Sequence, residues 1–301
     1  MPYPRTTSAI IAIILALLMI ILGGLYFTLC FSVLVILAQL EYFRLVKAKG
    51  IQPAVKTTMI VTQLLLITAT YIPSLTDATF ALAGALICFY LIFQPRLATI
   101  ADISSSILGL FYVGYLPSYW IRLRVSLDQN TAYAQTIPNI HNLPLDGYFP
   151  QDILNVHSFP DALKLTFITM ACIWAADIGA YLVGKKFGKT KLSDISPKKT
   201  VEGSLSGIVG SMLVGVFGAW LLHWDHIVLN GLLLGVLVGV VSVLGDLIES
   251  MMKRDAGVKD SGQLIPGHGG ILDRTDSYIF TAPLVYYFAT MFVPFLSNWQ
   301  I

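Results

Sequence analysis

The sequence is short of charge. Of its 301 residues, 19 are Lys or Arg and 17 are Asp or Glu, so 12% are charged, about half of what a soluble domain of this length usually carries. Cysteine is scarce as well. Cys30, Cys88 and Cys172 stand singly inside apolar runs, which argues against a disulfide framework or a Cys-x-x-Cys metal site and leaves the thiols as small hydrophobes. The five histidines are scattered, and only His268 lies in a polar, glycine-rich setting. After Arg5 and the apolar run 8–22 there is no small-residue cleavage site of the A-x-A kind, so a retained span is expected rather than a secretory signal. No transit-like, Arg/Ser-rich leader is expected either.

What the sequence has instead is apolar length. It is 56% hydrophobic, with a mean hydropathy of +0.74. A bilayer core takes about 20 helical residues, and on that ruler nine candidate spans stand out: 8–22, 25–42, 57–72, 76–93, 103–121, 165–184, 204–222, 227–245 and 277–296. Only Gly23-Gly24 separates the first two, and Pro117 interrupts the fifth. The expected fold is therefore all-α, a polytopic membrane protein. Its expected organisation is an N-terminal helical region 1–125, an extracytoplasmic connection 126–162, and a C-terminal region 163–301 holding the chemistry.

Lys and Arg tend to stay on the cytoplasmic side of short loops. Placing the N-terminus inside and alternating nine spans leaves only Arg122, Arg124 and Lys164 outside, of nineteen basic residues. Trp120, Trp224 and Trp299 then fall near the outer interface, where indoles are favoured. The expected topology is N-in, C-out, in a bacterial-type inner (plasma) membrane. Gly231, Gly235 and Gly239 repeat every four residues, as do Gly203, Gly207, Ser211 and Gly215. Small residues at this interval let helices approach closely, and close packing suffices to explain them.

Polar residues crowd into two inner loops. In 246–276, Asp246 closes the eighth span, while Asp273 and Asp276 open the ninth. Consecutive spans can pair antiparallel, so these carboxylates are expected at similar depth. Asp273 and Asp276, three apart, share a helix face, as do Asp246, Ser250 and Lys253. Clustered carboxylates without His or Cys partners favour a hard cation such as Mg²⁺, held by oxygen and completed by substrate phosphates; a second cation is left open. The plainer alternative is that the acids pair with Arg254, Arg274 and Lys259 at headgroup level. Lys253, Arg254 and Lys259, followed by Pro266-Gly267-His268-Gly269-Gly270 before a helix, suit a phosphate cradle. The other loop carries Lys185, Lys186, Lys189 and Lys191, which topology alone explains. It then runs Ser196-Pro197-Lys198-Lys199-Thr200-Val201-Glu202-Gly203, whose turn residues are too particular for topology and suit a triphosphate. Asp177 lies about 12 Å inside the sixth span, with Trp174 and Tyr181 one turn to either side. A carboxylate there faces a polar cavity or a partner, or else is neutral or paired with a nearby Lys.

The run Ser250 to Asp276, SMMKRDAGVKDSGQLIPGHGGILDRTD, resembles the signature of phosphatidate cytidylyltransferases (CDP-diacylglycerol synthases). The matching positions are Ser250, Lys253, Arg254, Lys259, Asp260, Gly262, Pro266, His268, Gly269, Gly270, Asp273, Arg274 and Asp276. Trp174-x-x-Asp177-x-x-Ala180-Tyr181, Ser196-Pro197-Lys198-Lys199-Thr200 and Gly245-Asp246-Leu247 are also similar. The resemblance is strong over about 170–285 and loose over the first 160 residues.

The resemblance implies Mg²⁺-dependent transfer of the cytidylyl group of CTP to phosphatidate at the cytoplasmic face. Carried over by motif, Asp246 and Asp273 are the first metal ligands, with Asp276 and Asp177 behind them. Lys253, Arg254, Lys259 and Arg274 would hold phosphates. Ser196, Lys198, Lys199, Thr200, Ser250, Gly269 and Gly270 would bind substrate, and Asp260 and His268 join the catalytic set, His268 as a hydrogen-bond donor or a turn former. Membrane lipid is the expected surroundings, no nucleic-acid partner is expected, and a homodimer would be common for such an enzyme. A CTP-dependent polyprenol or phytol-type lipid kinase, which would release CDP, is the enzyme alternative. A transporter is the non-enzyme alternative; the absence of an obvious repeat between halves and the one-sided polar residues weigh against it.

Overall fold

The computed structural model describes residues 3–127, 159–264 and 269–298, with side chains from residue 13 to residue 297 within those segments. His268, Trp299 and most of the connection 126–162 lie outside them. The described residues form helices and no strand: α1 (Tyr3–Leu22), α2 (Gly24–Ala48), α3 (Val55–Tyr71), α4 (Thr76–Ile92), α5 (Ile100–Leu110), α6 (Leu116–Ile121), α7 (Asp161–Phe187), α8 (Val201–Leu221), α9 (Ile227–Asp255), α10 (Leu272–Tyr287) and α11 (Val293–Asn298). A wider helical turn at Phe111–Tyr115 joins α5 to α6 just before Pro117, a second at Arg122–Ser126 continues α6, and a third at Phe288–Phe292 follows α10, which contains Pro283. Proline withholds a donor from the helical ladder, and a one-turn widening accommodates that loss.

All nine expected spans fall on helices. Among the described residues, seven are long and apolar enough to cross a membrane: Gly24–Ala48, Pro73–Ile92, Ile100–Ser126, Asp161–Phe187, Val201–Leu221, Ile227–Asp255 and Leu272–Ser297. The other two are weaker by that measure. α3 has 17 residues, and the described apolar stretch that ends α1 is Ile13–Leu22. The protein is an integral membrane protein.

The chain divides into two compact units. The first comprises the N-terminal helices through α6 together with Met252–Thr275; the second comprises Pro150–Met251 and Asp276 onward. In the first unit, polar side chains on apolar helices bond to one another. Thr28 Oγ1 lies 2.8 Å from Thr70 Oγ1, Gln39 Nε2 donates to Thr62 Oγ1 at 2.7 Å, and Tyr42 donates to the Ser105 carbonyl at 2.9 Å. Where lipid offers no partner, such bonds link helices. Outward-facing Leu82, Leu86 and Phe89 clothe the α4 surface with apolar side chains.

In the second unit glycine does the equivalent work. A Cβ built on Gly179 of α7 would sit 3.1 Å from Gly207 Cα of α8, and one on Gly215 would sit 3.2 Å from Gly235 Cα of α9. The small-residue intervals in the sequence are thus the seams along which α7, α8 and α9 meet backbone to backbone.

Candidate active site

The second unit gathers acids from three helices. Asp177 comes from α7, Asp246 from the polar extension of α9, and Asp276 from the first turns of α10. α9 does not stop where its apolar run ends; it continues to Asp255, so Asp246, Ser250 and Lys253 do share a helical face. Gly245 lets α10 approach here, since a Cβ on it would come 2.6 Å from the Asp276 carbonyl oxygen. The Ser277 hydroxyl donates to the Ser242 carbonyl at 3.4 Å. Asp177, Asp246 and Asp276 fall within Coulombic range of one another, and Lys199 falls within range of the group. Lys199 Nζ forms an ion pair with Asp246 Oδ2, both side chains being part-exposed. Asp276 is buried and its Oδ1 accepts the Ser277 N–H at 2.7 Å. Beside the acids, Trp174 Nε1 donates to the Tyr278 hydroxyl at 2.6 Å.

Lys199 is delivered by a tightly specified loop. Lys199 N–H closes a turn on the Ser196 carbonyl at 3.0 Å, with Pro197 in between fixing φ. Leu192 N–H donates to the Lys199 carbonyl at 2.9 Å and Val201 N–H to the Thr190 carbonyl at 3.0 Å, pairing the loop's two arms. Thr200 caps α8 by accepting the Gly203 N–H at 3.2 Å. Glu202 reaches back to accept Thr190 N–H at 3.1 Å and Lys189 N–H at 3.2 Å. Gly203 is needed because a Cβ there would come 2.7 Å from the Ala180 carbonyl oxygen on α7. Ser196, Pro197, Thr200, Glu202 and Gly203 of the Ser-Pro-Lys-Lys-Thr-x-Glu-Gly run thus each have a structural task, and the loop they build leaves Lys198 exposed and Lys199 against Asp246.

The first unit holds Lys253, Arg254, Lys259, Asp260, Asp273 and Arg274. α9 ends through Gly257, whose φ of +72° suits glycine, with Val258 N–H returning to the Lys253 carbonyl at 2.9 Å. Lys253 Nζ pairs with Asp273 Oδ1 at 2.7 Å. Asp273 Oδ2 accepts the backbone N–H of Ser261 at 3.0 Å, the Ser261 hydroxyl at 3.0 Å and the Gly270 N–H at 2.8 Å. Gly269 takes a φ of +85° to permit this approach. Arg254, Lys259, Asp260 and Arg274 are exposed, while Ser250, in the second unit, is buried. His268 lies outside the described residues.

Of the four acids expected to hold a metal, the structure therefore brings together Asp177, Asp246 and Asp276. Asp273 sits in the first unit, where both its oxygens already serve protein donors. Among the described residues, no three Asp, Glu, His or Cys side chains form a ready-made metal cage. The donor set instead fits a cation held by one or two carboxylates and completed by phosphate oxygens and water.

Sequence reasoning missed Glu41, on α2. It is buried, 1% exposed, and accepts three hydrogen bonds from the signature segment. The signal was there: a lone carboxylate inside an apolar span is costly and marks a site by default.

Fold and site together define a membrane-embedded, all-helical protein with carboxylates and lysines gathered at the ends of its helices. The whole chain carries that likeness: residues 3–292 match the model of the cytidylyltransferase family, and the protein belongs to that family of nucleotidyltransferases. It is 61% identical to a phosphatidate cytidylyltransferase of Synechocystis over 99% of this chain and all of that one. It is 39% identical to chloroplastic phosphatidate cytidylyltransferase 5 of Arabidopsis thaliana, over 90% of this chain and 68% of that one. It is 31% identical to the phosphatidate cytidylyltransferase of Bacillus subtilis, over 96% and 97%. The likeness thus extends through the N-terminal helices, where the sequence motifs alone are loose.

Proposed function

We propose that this enzyme joins CTP to phosphatidate, forming CDP-diacylglycerol and pyrophosphate. The observation that carries the site assignment is the convergence of Asp177, Asp246 and Asp276 on Lys199. A phosphate oxygen of phosphatidate attacks the α-phosphorus of CTP. The new P–O bond forms as the bond from that phosphorus to the α,β-bridging oxygen breaks, and pyrophosphate leaves with the electron pair. The nucleophile is already largely ionised near neutrality, since such a phosphate has a second pKa of about 6, so no strong base is required.

What opposes the reaction is the meeting of two polyanions. Lys198 and Lys199 on their hydrogen-bonded loop offset that repulsion and stabilise charge on the leaving pyrophosphate; the resemblance assigns phosphate binding to Lys253, Arg254, Lys259 and Arg274 as well. Mg²⁺ bound at Asp246 with Asp276 or Asp177 would supply further charge neutralisation at the phosphates. Asp246 pairs with Lys199 while Asp177 and Asp276 lie within Coulombic range of both, an acidic surplus that favours a divalent ion there. Asp273, which accepts from Lys253, Ser261 and Gly270, also holds the signature segment in shape in this reading. The diacyl chains of phosphatidate remain in hydrocarbon while the lipid headgroup reaches the site, which we place on the cytoplasmic side because the loops that carry it are the basic ones.

The reading is tested with purified protein, phosphatidate, CTP and Mg²⁺. A cytidine-containing lipid is expected in the organic phase, with pyrophosphate in water. Phosphorylated lipid with CDP in water would instead establish a lipid kinase.

A further inference from the structure

Glu41 lies far from the signature motif in sequence, yet most of its hydrogen-bonding capacity goes into that motif. Its Oε1 accepts the Ile271 N–H at 3.1 Å, and its Oε2 accepts the Leu272 N–H at 2.9 Å and the Ser261 hydroxyl at 3.1 Å. Leu272 is the first residue of α10, so Glu41 caps that helix from another helix, where free N–H groups and the helix dipole favour negative charge. The fit is close. A Cβ on Gly262 would come 2.7 Å from Glu41 Cδ, and one on Gly270 would come equally near the same atom. Two of the motif's glycines are therefore explained by a carboxylate outside the motif. Burying a charge this fully is costly unless it is matched by donors, and here the donors all belong to the segment between Lys253 and Asp273.

Ser261 is the link onward. Its oxygen stands 3.1 Å from Glu41 Oε2 and 3.0 Å from Asp273 Oδ2, and Asp273 in turn holds Lys253 at 2.7 Å. We propose that Glu41 is a positioning residue for cytidylyl transfer: through Ser261 and the start of α10 it fixes the segment that presents Lys253, Lys259 and Arg274 to phosphate. The inference rests on the functional reading above for what that segment binds, but not for whether Glu41 holds it.

The test uses full-length protein in lipid nanodiscs, with Glu41→Gln and Ser261→Ala. Glutamine keeps the size but turns one acceptor into a donor facing backbone N–H groups. Amide exchange is followed in peptides covering 256–275 and, as a control, 201–221. The proposal expects exchange in 256–275 to rise at least about tenfold in Glu41→Gln with the control unchanged, and kcat per folded molecule to fall roughly ten- to a hundredfold, the cost of a displacement of about 1 Å. It expects Glu41→Gln combined with Ser261→Ala to lose little more than Glu41→Gln alone, because both act on one path. A residue that only stabilised the fold would lower the thermal midpoint and leave turnover per folded molecule intact; that result overturns the proposal, as does unchanged exchange. If Glu41→Gln fails to fold, Ser261→Ala decides: a drop of about tenfold or more in kcat upholds the path, and wild-type turnover removes it. Should wild-type protein itself make no cytidine lipid, the functional reading fails, while the exchange result still decides whether Glu41 holds the segment.

Discussion

Asp246 and Asp273 carry the same side chain and stand in one signature, yet their surroundings ask different things of them. Asp273 is enclosed by Lys253, the Ser261 hydroxyl and two backbone N–H groups. Asp246 is part-exposed, paired with Lys199 and in Coulombic range of two further acids. The sequence singled out these acids by their clustering at the ends of two spans and by the signature, but not which neighbours each would find. That depends on where the chain turns between α9 and α10. Asp246→Asn and Asp276→Asn should each lower kcat by roughly a hundredfold or more, the scale of losing a preorganised charge at a reacting phosphate, with folded yield by gel filtration unchanged. Lys199→Ala should lower turnover by about tenfold and relieve less of it at raised Mg²⁺ than Asp246→Asn does. Near-normal turnover in Asp246→Asn would remove that residue from the site.

Two elements carry most of the architecture, the loop before α8 and the glycine seams behind it. The seams were legible from the four-residue interval of small side chains, and the structure places Gly207 against α7 and Gly235 against α8. Gly207→Val should destabilise the protein by about 1–3 kcal/mol or more, as overpacking does, seen as a lower thermal midpoint in detergent. Thr200→Ala removes the cap on α8 and should cost about 1 kcal/mol. It should also lower activity, because Lys199 is its neighbour in the turn; a stability loss without any loss of turnover would separate the cap from the site. Less legible was the use of Glu202, whose reach back to Lys189 and Thr190 depends on a loop conformation that no periodicity reveals. Glu41 was legible as a lone carboxylate in an apolar span, but its partners, 220–231 residues away, were not.

For the whole molecule, hydropathy alone located every helix that the structure describes as long and apolar, since backbone polar groups in lipid must be satisfied within the segment. The sidedness rests on Lys and Arg placement. In a cysteine-free background, a cysteine at position 225 should react with a membrane-impermeant maleimide on intact cells, and one at position 189 should react only after the membrane is opened. The reverse pattern would invert the topology. The most direct test of the account follows where the phosphorus atoms of CTP go in reconstituted vesicles containing phosphatidate and Mg²⁺. Label in the α-position should pass into the lipid phase and label in the γ-position into water-soluble pyrophosphate, both transfers vanishing in Asp246→Asn. γ-Label in the lipid, or α-label left in water as CDP, would contradict it.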